Sequence, residues 1–324
     1  MKQSVAVAVT SRSFSRHPIL RAELLERYDR VTFNDRGESL AGDALARFLT
    51  GHVKAIVGLE RLDEAMFAAL PELKVVSKYG VGLDMLDLDA MARRGVALGW
   101  TGGVNRRSVA ELVVASAISL LHNATVARDE VRAGSWRQIL GRQLTGRTVG
   151  IVGCGHIGKE VAMLMRAFGC RVLAYDVLEF PSFYARHDVT AMTLDALLEQ
   201  SDVVTLHLPL DATTRGLFDE ARLGRMKPGA ILINTARGRI VDEAALKRLL
   251  IDGRLGGAAF DVFASEPPDD PQLLALPNFL ATPHIGGSTE EAILDMGRAA
   301  IAGLDSAAEP SAVIQAVRSL QETW

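Results

Sequence analysis

Short apolar runs alternate with longer amphipathic stretches over the first hundred residues. Alternation of this kind is typical of a parallel sheet covered by helices. The apolar runs predict strands at Val5–Val9, Val31–Phe33, Ala55–Val57, Lys74–Ser77 and Val96–Leu98. The stretches between them predict helices at Pro18–Tyr28, Leu40–Leu49, Asp63–Leu70 and Met85–Arg93.

A second alternating series begins in the middle of the chain. Its first strand is followed by a predicted helix at Ile157–Phe168. The two series together predict an α/β protein with two Rossmann-like or flavodoxin-like parallel-sheet domains. The strands predicted in the second series are Thr148–Val152, Arg171–Tyr175, Val203–Leu208, Ala230–Asn234, Gly257–Val262 and Phe279–Ala281.

Two long helices are expected to carry the chain between these domains. Gly102 and Gly103 precede a predicted helix at Asn105–Leu121, and another is predicted at Ser288–Asp305. If the second helix returns to the first domain, that domain consists of residues 1–103 and 288–324. Residues 104–287 then form the other domain, and we expect a ligand cleft at the seam.

A Gly-x-Gly-x-x-Gly pattern follows the first strand of the second series, at Gly153, Gly155 and Gly158. Such glycines allow a tight turn, a close approach to a pyrophosphate and close helix–strand packing. The amides at the start of the next helix, around His156 and Ile157, are suited to phosphate binding. Asp176 ends the next strand, where an acid binds the ribose hydroxyls and repels a 2′-phosphate, so the pattern predicts NAD.

The composition narrows the class of protein. The chain has 324 residues, 48% hydrophobic and 23% charged, with a formal net charge of −3. This gives no support for nucleic-acid or membrane-surface binding. The two cysteines, Cys154 and Cys170, favour reduced cytosolic thiols. We see neither a signal peptide nor a membrane span, expect no metal, and predict a cytoplasmic protein.

Three polar residues each follow a predicted strand of the second series, where open α/β sheets bind ligands. Arg237 can hold a carboxylate through two parallel hydrogen bonds. His284 can exchange a proton near neutral pH, and Glu266 can orient and stabilise its imidazolium. Together they predict hydride transfer between a 2-hydroxy acid and a 2-oxo acid. His207, which with Pro209 ends another strand, is predicted to be structural or to line the cofactor site.

These motifs, in this order, resemble the D-isomer-specific 2-hydroxyacid dehydrogenase family over nearly the whole chain. The resemblance implies that Arg237, Glu266 and His284 are catalytic, and that the amides around Val81 and Gly82 bind the substrate carboxylate. It also implies a homodimer joined through the nucleotide-binding domains. The matching stretches are Lys78–Asp84, Ser108–Leu112, Gly153–Gly158 with Asp176, Asn234–Gly238, Asp261–Pro267 and Pro283–Gly286.

The implied contacts extend to both ligands. Lys78 joins Val81, Gly82, Arg237 and His284 in the predicted substrate site. On the cofactor side, the resemblance places Thr235, Ala236 and Asp261 against the nicotinamide and its ribose. The remaining predicted cofactor residues are Gly153, Gly155, His156, Ile157, Gly158, Asp176, His207, Pro209, Arg237, His284 and Gly287.

Other functions remain open at this point. Some relatives are NADH-sensing corepressors, which would predict docking tails that we do not find. Phosphite-oxidising relatives resemble this chain less, because Val81 and Gly82 stand at the loop centre and Lys78 lies upstream. Phosphoglycerate is not favoured, since Glu60 is a poor neighbour for a phosphate, although Arg61 or Lys78 could compensate. We also expect no appended regulatory domain.

Overall fold

The computed structural model describes residues 2–315. Its strands are all joined in parallel ladders. They are β1 (Gln3–Val9), β2 (Tyr28–Phe33), β3 (Lys54–Val57), β4 (Val75–Lys78), β5 (Ala97–Gly99), β6 (Thr148–Val152), β7 (Arg171–Tyr175), β8 (Val189–Ala191), β9 (Val203–Leu206), β10 (Ile231–Asn234), β11 (Gly257–Phe260) and β12 (Phe279–Ala281).

Helices occupy most of the connections between these strands. A single 3-10 turn, Gly238–Ile240, follows β10 in the described chain. The helices are α1 (Arg12–Arg16), α2 (Pro18–Arg27), α3 (Gly42–Leu49), α4 (Glu64–Ala69), α5 (Leu88–Arg93), α6 (Arg106–Leu121), α7 (Ala124–Arg132), α8 (His156–Ala167), α9 (Pro181–His187), α10 (Leu194–Gln200), α11 (Glu220–Arg225), α12 (Glu243–Ile251), α13 (Pro271–Leu274) and α14 (Glu290–Ser306).

The chain divides into two compact units. Among the described residues, 2–105 and 288–315 form the first unit, and Arg106–Gly287 form the second. Residues 316–324, which the sequence prediction assigns to the first domain, lie outside the described residues. Within the described part, no single helix is long and apolar enough to cross a membrane, although α6 and α7, bent by 63°, pass that test when taken together.

The first unit is built on a five-stranded sheet with the order β2-β1-β3-β4-β5. Apolar clusters cover both faces of this sheet. Helix α14, from the far end of the chain, contacts β3, β4 and β5. Its contact with β5 is made through backbone, because a Cβ on Gly99 would lie 2.3 Å from the carbonyl oxygen of Gly303. Ser77 in β4 also donates to the carbonyl of Ala300 at 2.6 Å.

The second unit is built on a seven-stranded sheet with the order β12-β11-β10-β9-β6-β7-β8. Strands β9, β10 and β11 are buried along their whole length, as expected for a parallel sheet covered on both faces. The chain runs outward from β6 to β8 and then returns to β9 on the other side of β6. Ligands of such sheets bind at this reversal, beyond the carboxyl ends of the strands.

Most predicted elements are found within two residues of their predicted bounds, and two strands end two residues earlier than predicted. Strand β9 ends at Leu206 instead of Leu208, and β11 ends at Phe260 instead of Val262. Leu208 packs against the core from a loop, and Val262 is buried in one. The apolar sequence therefore continues past the strand ends, because the loops that follow also pack side chains against the core.

Two helices begin two or three residues later than predicted, each directly after a capping residue. The helix predicted from Met85 begins at Leu88, because the Asp87 side chain accepts a hydrogen bond from the amide of Ala90. The helix predicted from Ser288 begins at Glu290, after Thr289 has capped it through the amide of Ala292. Strand β8 and helices α1, α7 and α9–α13 have no counterpart with stated bounds in the sequence prediction. Pro18 occupies the first turn of α2, as predicted.

Candidate active site

The predicted functional residues of the second unit follow the carboxyl ends of six of its strands. Because parallel strands point the same way, these loops share one edge of the sheet. The loops are Gly153–Gly158 after β6, Asp176 after β7, 207–209 after β9, 235–238 after β10, 261–266 after β11 and 282–287 after β12.

The glycine turn after β6 is shaped by steric exclusion. Gly153 has a φ of +96°, and a Cβ there would lie 2.6 Å from the carbonyl oxygen of His207. At Gly158 a Cβ would lie 2.0 Å from the carbonyl oxygen of Gly153. Helix α8 then begins at His156, capped by Gly155 without a side-chain hydrogen bond. The turn thus brings the start of α8, the end of a helix that favours anionic ligands, to this edge of the sheet.

Asp176 is held in place by the same turn. Its Oδ2 accepts a hydrogen bond from the amide of Cys154 at 2.6 Å, and its Oδ1 accepts one from the amide of Leu178 at 2.9 Å. Each carboxylate oxygen can accept a second hydrogen bond, so the acid retains the capacity to bind hydroxyl groups. The half-buried position is consistent with that task.

A buried lysine stabilises the glycine turn through a hydrogen bond to its backbone. Lys159 is fully buried, and its Nζ donates to the carbonyl oxygen of Cys154 at 2.9 Å. Its ammonium lies 3.2 Å from the ring centroid of Phe180, in a cation–π contact. Burial lowers the pKa of Lys159. Lys159 is not predictable from the sequence, because a lysine one turn into an amphipathic helix is ordinarily solvated.

His207 is a neutral imidazole beside the turn. Its Nε2 lies 3.0 Å from Oγ1 of Thr205, and its buried Nδ1 has no hydrogen-bond partner among the described residues. Burial lowers the pKa of His207 to about 3. The carbonyl of Pro209 accepts a hydrogen bond from Thr214 at 2.6 Å, which fixes the rest of this loop.

His284 and Glu266 form a direct pair. Nδ1 of His284 lies 2.9 Å from Oε2 of Glu266, and about 40% of each side chain is exposed. Oε1 of the same carboxylate accepts the amide of Phe263 at 3.1 Å, which fixes its orientation. With Nδ1 directed at a carboxylate, Nε2 is the nitrogen available for proton exchange. His284 adopts a φ of +56°, an uncommon conformation for a non-glycine residue.

Arg237 lies on the loop after the neighbouring strand. The side chain of Asn234 shapes that loop, because it donates to the carbonyl of Arg237 at 2.9 Å and accepts the amide of Ala236 at 3.0 Å. Nη1 of Arg237 donates to the carbonyl of Ala236 at 2.7 Å. A Cβ on Gly238 would lie 1.9 Å from the carbonyl carbon of Phe263, so the Arg237 and Glu266 loops are in backbone contact.

Asp261 holds the histidine loop. It is 3% exposed, and its Oδ1 accepts the hydroxyl of Thr282 at 2.6 Å and the amide of Ile285 at 2.8 Å. Its Oδ2 accepts the amide of Gly286 at 2.7 Å, next to Gly287. Sequence reasoning assigns Asp261 only to the nicotinamide. The structure adds three bonds that fix the chain on both sides of His284.

The polar groups of this edge fit a dinucleotide. Oγ1 of Thr235 is buried without a hydrogen-bond partner among the described residues, as expected where a ligand supplies one. The start of α8 and the carboxylate of Asp176 offer sites for a pyrophosphate and a ribose. Across residues 2–315, no group of three or more His, Cys, Asp or Glu residues is arranged to hold a metal ion.

The remaining predicted residues belong to the first unit. Lys78 is buried at the end of β4, where its Nζ donates to the carbonyl oxygens of Gly58 and Tyr79. Val81 and Gly82 follow and are half-buried. The carbonyl of Val81 accepts a hydrogen bond from the indole of Trp100 at 3.1 Å, which holds this loop in place.

Glu60 lies close to the same strand ends. Its Oε2 accepts the amide of Gly58 at 2.6 Å. The sequence suggests that Arg61 could offset the negative charge of Glu60. In the structure Arg61 forms a long ion pair with Asp63, at 3.9 Å.

Three features together define a dinucleotide-binding α/β protein. They are a parallel sheet with a reversal of strand order, a glycine turn at that reversal and an acid after the adjoining strand. Residues 114–286 match the model of the D-isomer specific 2-hydroxyacid dehydrogenase NAD binding domain. The chain belongs to the D-isomer specific 2-hydroxyacid dehydrogenase family, and its cofactor is NAD.

Curated relatives differ in their names and lengths. The chain is 40% identical over 276 residues to the (S)-sulfolactate dehydrogenase of Chromohalobacter salexigens, which covers 82% of this chain and 88% of that protein. It is 40% identical over 233 residues to the D-3-phosphoglycerate dehydrogenase of Mycobacterium tuberculosis, covering 71% of this chain. In that comparison the chain spans only 44% of the relative's length.

Solved structures share the fold over most of the chain. The D-lactate dehydrogenase of Aquifex aeolicus, in complex with NAD and lactic acid, is similar with a TM-score of 0.81 and 28% identity. That similarity covers 93% of this chain and 94% of the solved one. The predicted α/β class with two parallel sheets is therefore confirmed.

Proposed function

We propose that the protein is an NAD-dependent oxidoreductase that interconverts a 2-hydroxy acid, of the D-isomer, and its 2-oxo acid. The observation that carries this proposal is the 2.9 Å pair of His284 and Glu266 within the NAD binding domain. The pair lies at the sheet edge that also bears the glycine turn. Reduction of a 2-oxo acid requires a proton donor for the substrate oxygen close to the dinucleotide. Here both sites lie on the same edge of the sheet.

Each member of the predicted set has a definite task. The bound nicotinamide supplies a hydride for reduction or accepts one in oxidation. His284 gives the proton on Nε2 to the carbonyl oxygen of the 2-oxo acid and removes it from the hydroxyl in the reverse direction. Glu266 stabilises the imidazolium and fixes its tautomer. Arg237 binds the substrate carboxylate through paired hydrogen bonds.

The cofactor is held mainly by the turn after β6. The amides of Gly155, His156 and Ile157 bind the pyrophosphate, and Gly153 and Gly158 allow its approach. Asp176 binds the adenosine ribose. The other contacts come from His207, Pro209, Thr235, Ala236, Asp261 and Gly287, as the family resemblance implies.

We also propose substrate contacts from the first unit, as the family resemblance implies. The amides of Val81 and Gly82 bind the carboxylate, and the buried ammonium of Lys78 adds positive potential near them. Glu60 on the Gly58 amide makes a phosphorylated substrate unfavourable. We therefore propose a small 2-oxo acid as the substrate.

The test is NADH consumption against a panel of 2-oxo acids. Pyruvate, glyoxylate, hydroxypyruvate, sulfopyruvate, 2-oxoglutarate and phosphohydroxypyruvate sample the side chains of interest. Turnover that is lost in His284→Ala would support the proposal, and the ranking would identify the substrate. NADH binding without turnover on any member of the panel would count against it.

We further propose a cytoplasmic homodimer joined through the second units. Residues 133–147, which follow α7, form neither helix nor strand, and they expose 89% of Trp136 and 95% of Leu140. Large exposed apolar side chains of this kind are typical of protein interfaces. The two free cysteines are buried, as expected in a reducing compartment. Light scattering on the wild type and Trp136→Ser tests the dimer; a monomeric wild type would exclude it.

A further inference from the structure

We propose that Glu243 is a positioning residue that sets the spacing between Arg237 and the His284–Glu266 pair. This inference rests on the proposed function for the roles of those three residues. Glu243 itself has no place in the predicted chemistry. It is the first residue of α12, just after Asp242, which caps that helix through the amides of Ala244 and Ala245.

Glu243 reaches the loop that carries Glu266. Its Oε1 accepts a hydrogen bond from the amide of Ala264 at 2.7 Å. The preceding amide, that of Phe263, donates to Glu266 itself at 3.1 Å. Two consecutive amides of the loop are therefore held by two carboxylates. One belongs to the catalytic set, and the other comes from a helix outside the loop.

The amide that Glu243 holds belongs to the contact between the two catalytic loops. A Cβ on Gly238 would lie 1.9 Å from the carbonyl carbon of Phe263 and 2.3 Å from the nitrogen of Ala264. The backbone next to Arg237 thus rests directly on the Phe263–Ala264 peptide. Rotation of that peptide would press against Gly238 and displace Arg237. By fixing the peptide, Glu243 fixes both sides of the contact.

The charge of Glu243 is unfavourable where it stands. Burial raises the pKa of Glu243, the hydrogen bond from the amide of Ala264 lowers it in part, and the neighbouring carboxylates of Asp269, Asp270 and Asp242 raise it further. The nearby Lys247 is bound to Asp270 at 2.7 Å. Because its pKa is raised, the ionised form of Glu243 is less favourable in the folded state than in the unfolded chain at neutral pH, so removing the charge while keeping an acceptor should not destabilise the fold. A residue kept only for stability would behave in the opposite way.

The experiment compares Glu243→Ala and Glu243→Gln with Glu220→Ala. Glu220 is a matched control, since it is the first residue of α11 after the capping Asp219 and its carboxylate binds the exposed Arg248. In Glu243→Ala we expect kcat to fall about tenfold, because small displacements of catalytic groups are costly. NADH affinity should stay within about twofold of wild type. Glu243→Gln, which keeps an acceptor, should recover most of kcat without loss of thermal stability.

A spectroscopic readout separates this inference from the proposed function. The Nδ1 proton signal of His284 can be assigned by its loss in His284→Gln. It should shift in Glu243→Ala and stay unchanged in Glu220→Ala. An unshifted signal would overturn the positioning role, as would an unchanged kcat or an equal loss of kcat and NADH affinity. If the wild type turns over no 2-oxo acid, the proposed function fails, and the His284 signal still decides whether Glu243 positions the pair.

Discussion

The two halves of the seven-stranded sheet hold their binding groups in opposite ways. On the β6 side the proposed binding surface is the main chain, shaped where Gly153 and Gly158 leave no room for a Cβ and supported by the buried Lys159. On the β10–β12 side the side chains are presented, and main-chain amides are bound by supporting carboxylates such as Asp261. We therefore expect larger side chains to impair binding in the first half, and the removal of functional groups to impair turnover in the second.

The largest effect is expected from removing a functional group in the second half. His284→Ala should lower turnover by about a hundredfold or more, because the proton donor is lost. NADH binding, measured by fluorescence, should remain near that of the wild type, because the glycine turn is untouched. Exposed His122→Ala serves as the control. If turnover is unchanged in His284→Ala, the histidine has no part in the reaction.

Adding one methyl group in the first half should have the next largest effect. In Gly158→Ala the new Cβ would lie 2.0 Å from the carbonyl of Gly153. Overpacking of this kind costs about 1–3 kcal/mol of unfolding free energy. NADH binding should weaken as the turn is distorted. Titration calorimetry and urea denaturation measure both effects.

The control for that variant is Gly224→Ala. Gly224 lies within α11, and a Cβ added there would point into open space, so alanine should be neutral or stabilising. Equal NADH affinity in Gly158→Ala and wild type would mean that the turn does not bind the pyrophosphate.

A smaller effect is expected at Asp176, a side chain that the first half presents. Asp176→Ala should raise the Kd for NADH by about tenfold, since hydrogen bonds to a charged group are lost. It should also relax discrimination against NADPH, because the charge that repels a 2′-phosphate is gone. Binding of both cofactors should be compared with Glu179→Ala, an exposed carboxylate nearby. An unaltered preference would remove Asp176 from the ribose site.

The last effect concerns stability instead of binding or turnover, at the boundary between the halves. Burial lowers the pKa of His207 to about 3 from an ordinary 6.5. The unfolded chain therefore takes up a proton below about pH 6.5 while the folded state does not, so stability falls as the pH drops towards 3. In His207→Gln this contribution is absent. Urea denaturation at pH 7 and pH 4.5 should show a smaller loss for the variant than for His122→Gln; equal losses would contradict the neutral, buried imidazole.

The glycine turn and the family were predictable because positions without room for a Cβ must be glycine, and such glycines can be read directly from the sequence. Gly153 and Gly158 stand where only glycine fits, and Asp176 follows a strand, β7, whose bounds were predicted without error. The pairing of Glu266 with His284 also followed from strand ends. Their roles in catalysis remain predictions, as do the roles assigned to the two units.

The supporting residues were not predictable. Lys159 and Glu243 are ordinary charged residues of amphipathic helices, and only the tertiary structure buries one and brings the other to the amide of Ala264. Asp261 was found for another reason, as a family residue near the nicotinamide. Its three bonds to the His284 loop depend on a register between β11 and β12 that local sequence does not encode.

The backbone contact between Gly99 and Gly303 has a consequence for the order of events during synthesis. The first unit needs α14, whose residues leave the ribosome some two hundred positions after β5, whereas Arg106–Gly287 are contiguous. Domains generally fold as they emerge. The second unit can therefore be complete while the first sheet still waits for the segment that covers β3, β4 and β5. The nascent chain thus exposes that apolar face longest, and there chaperone protection would matter most.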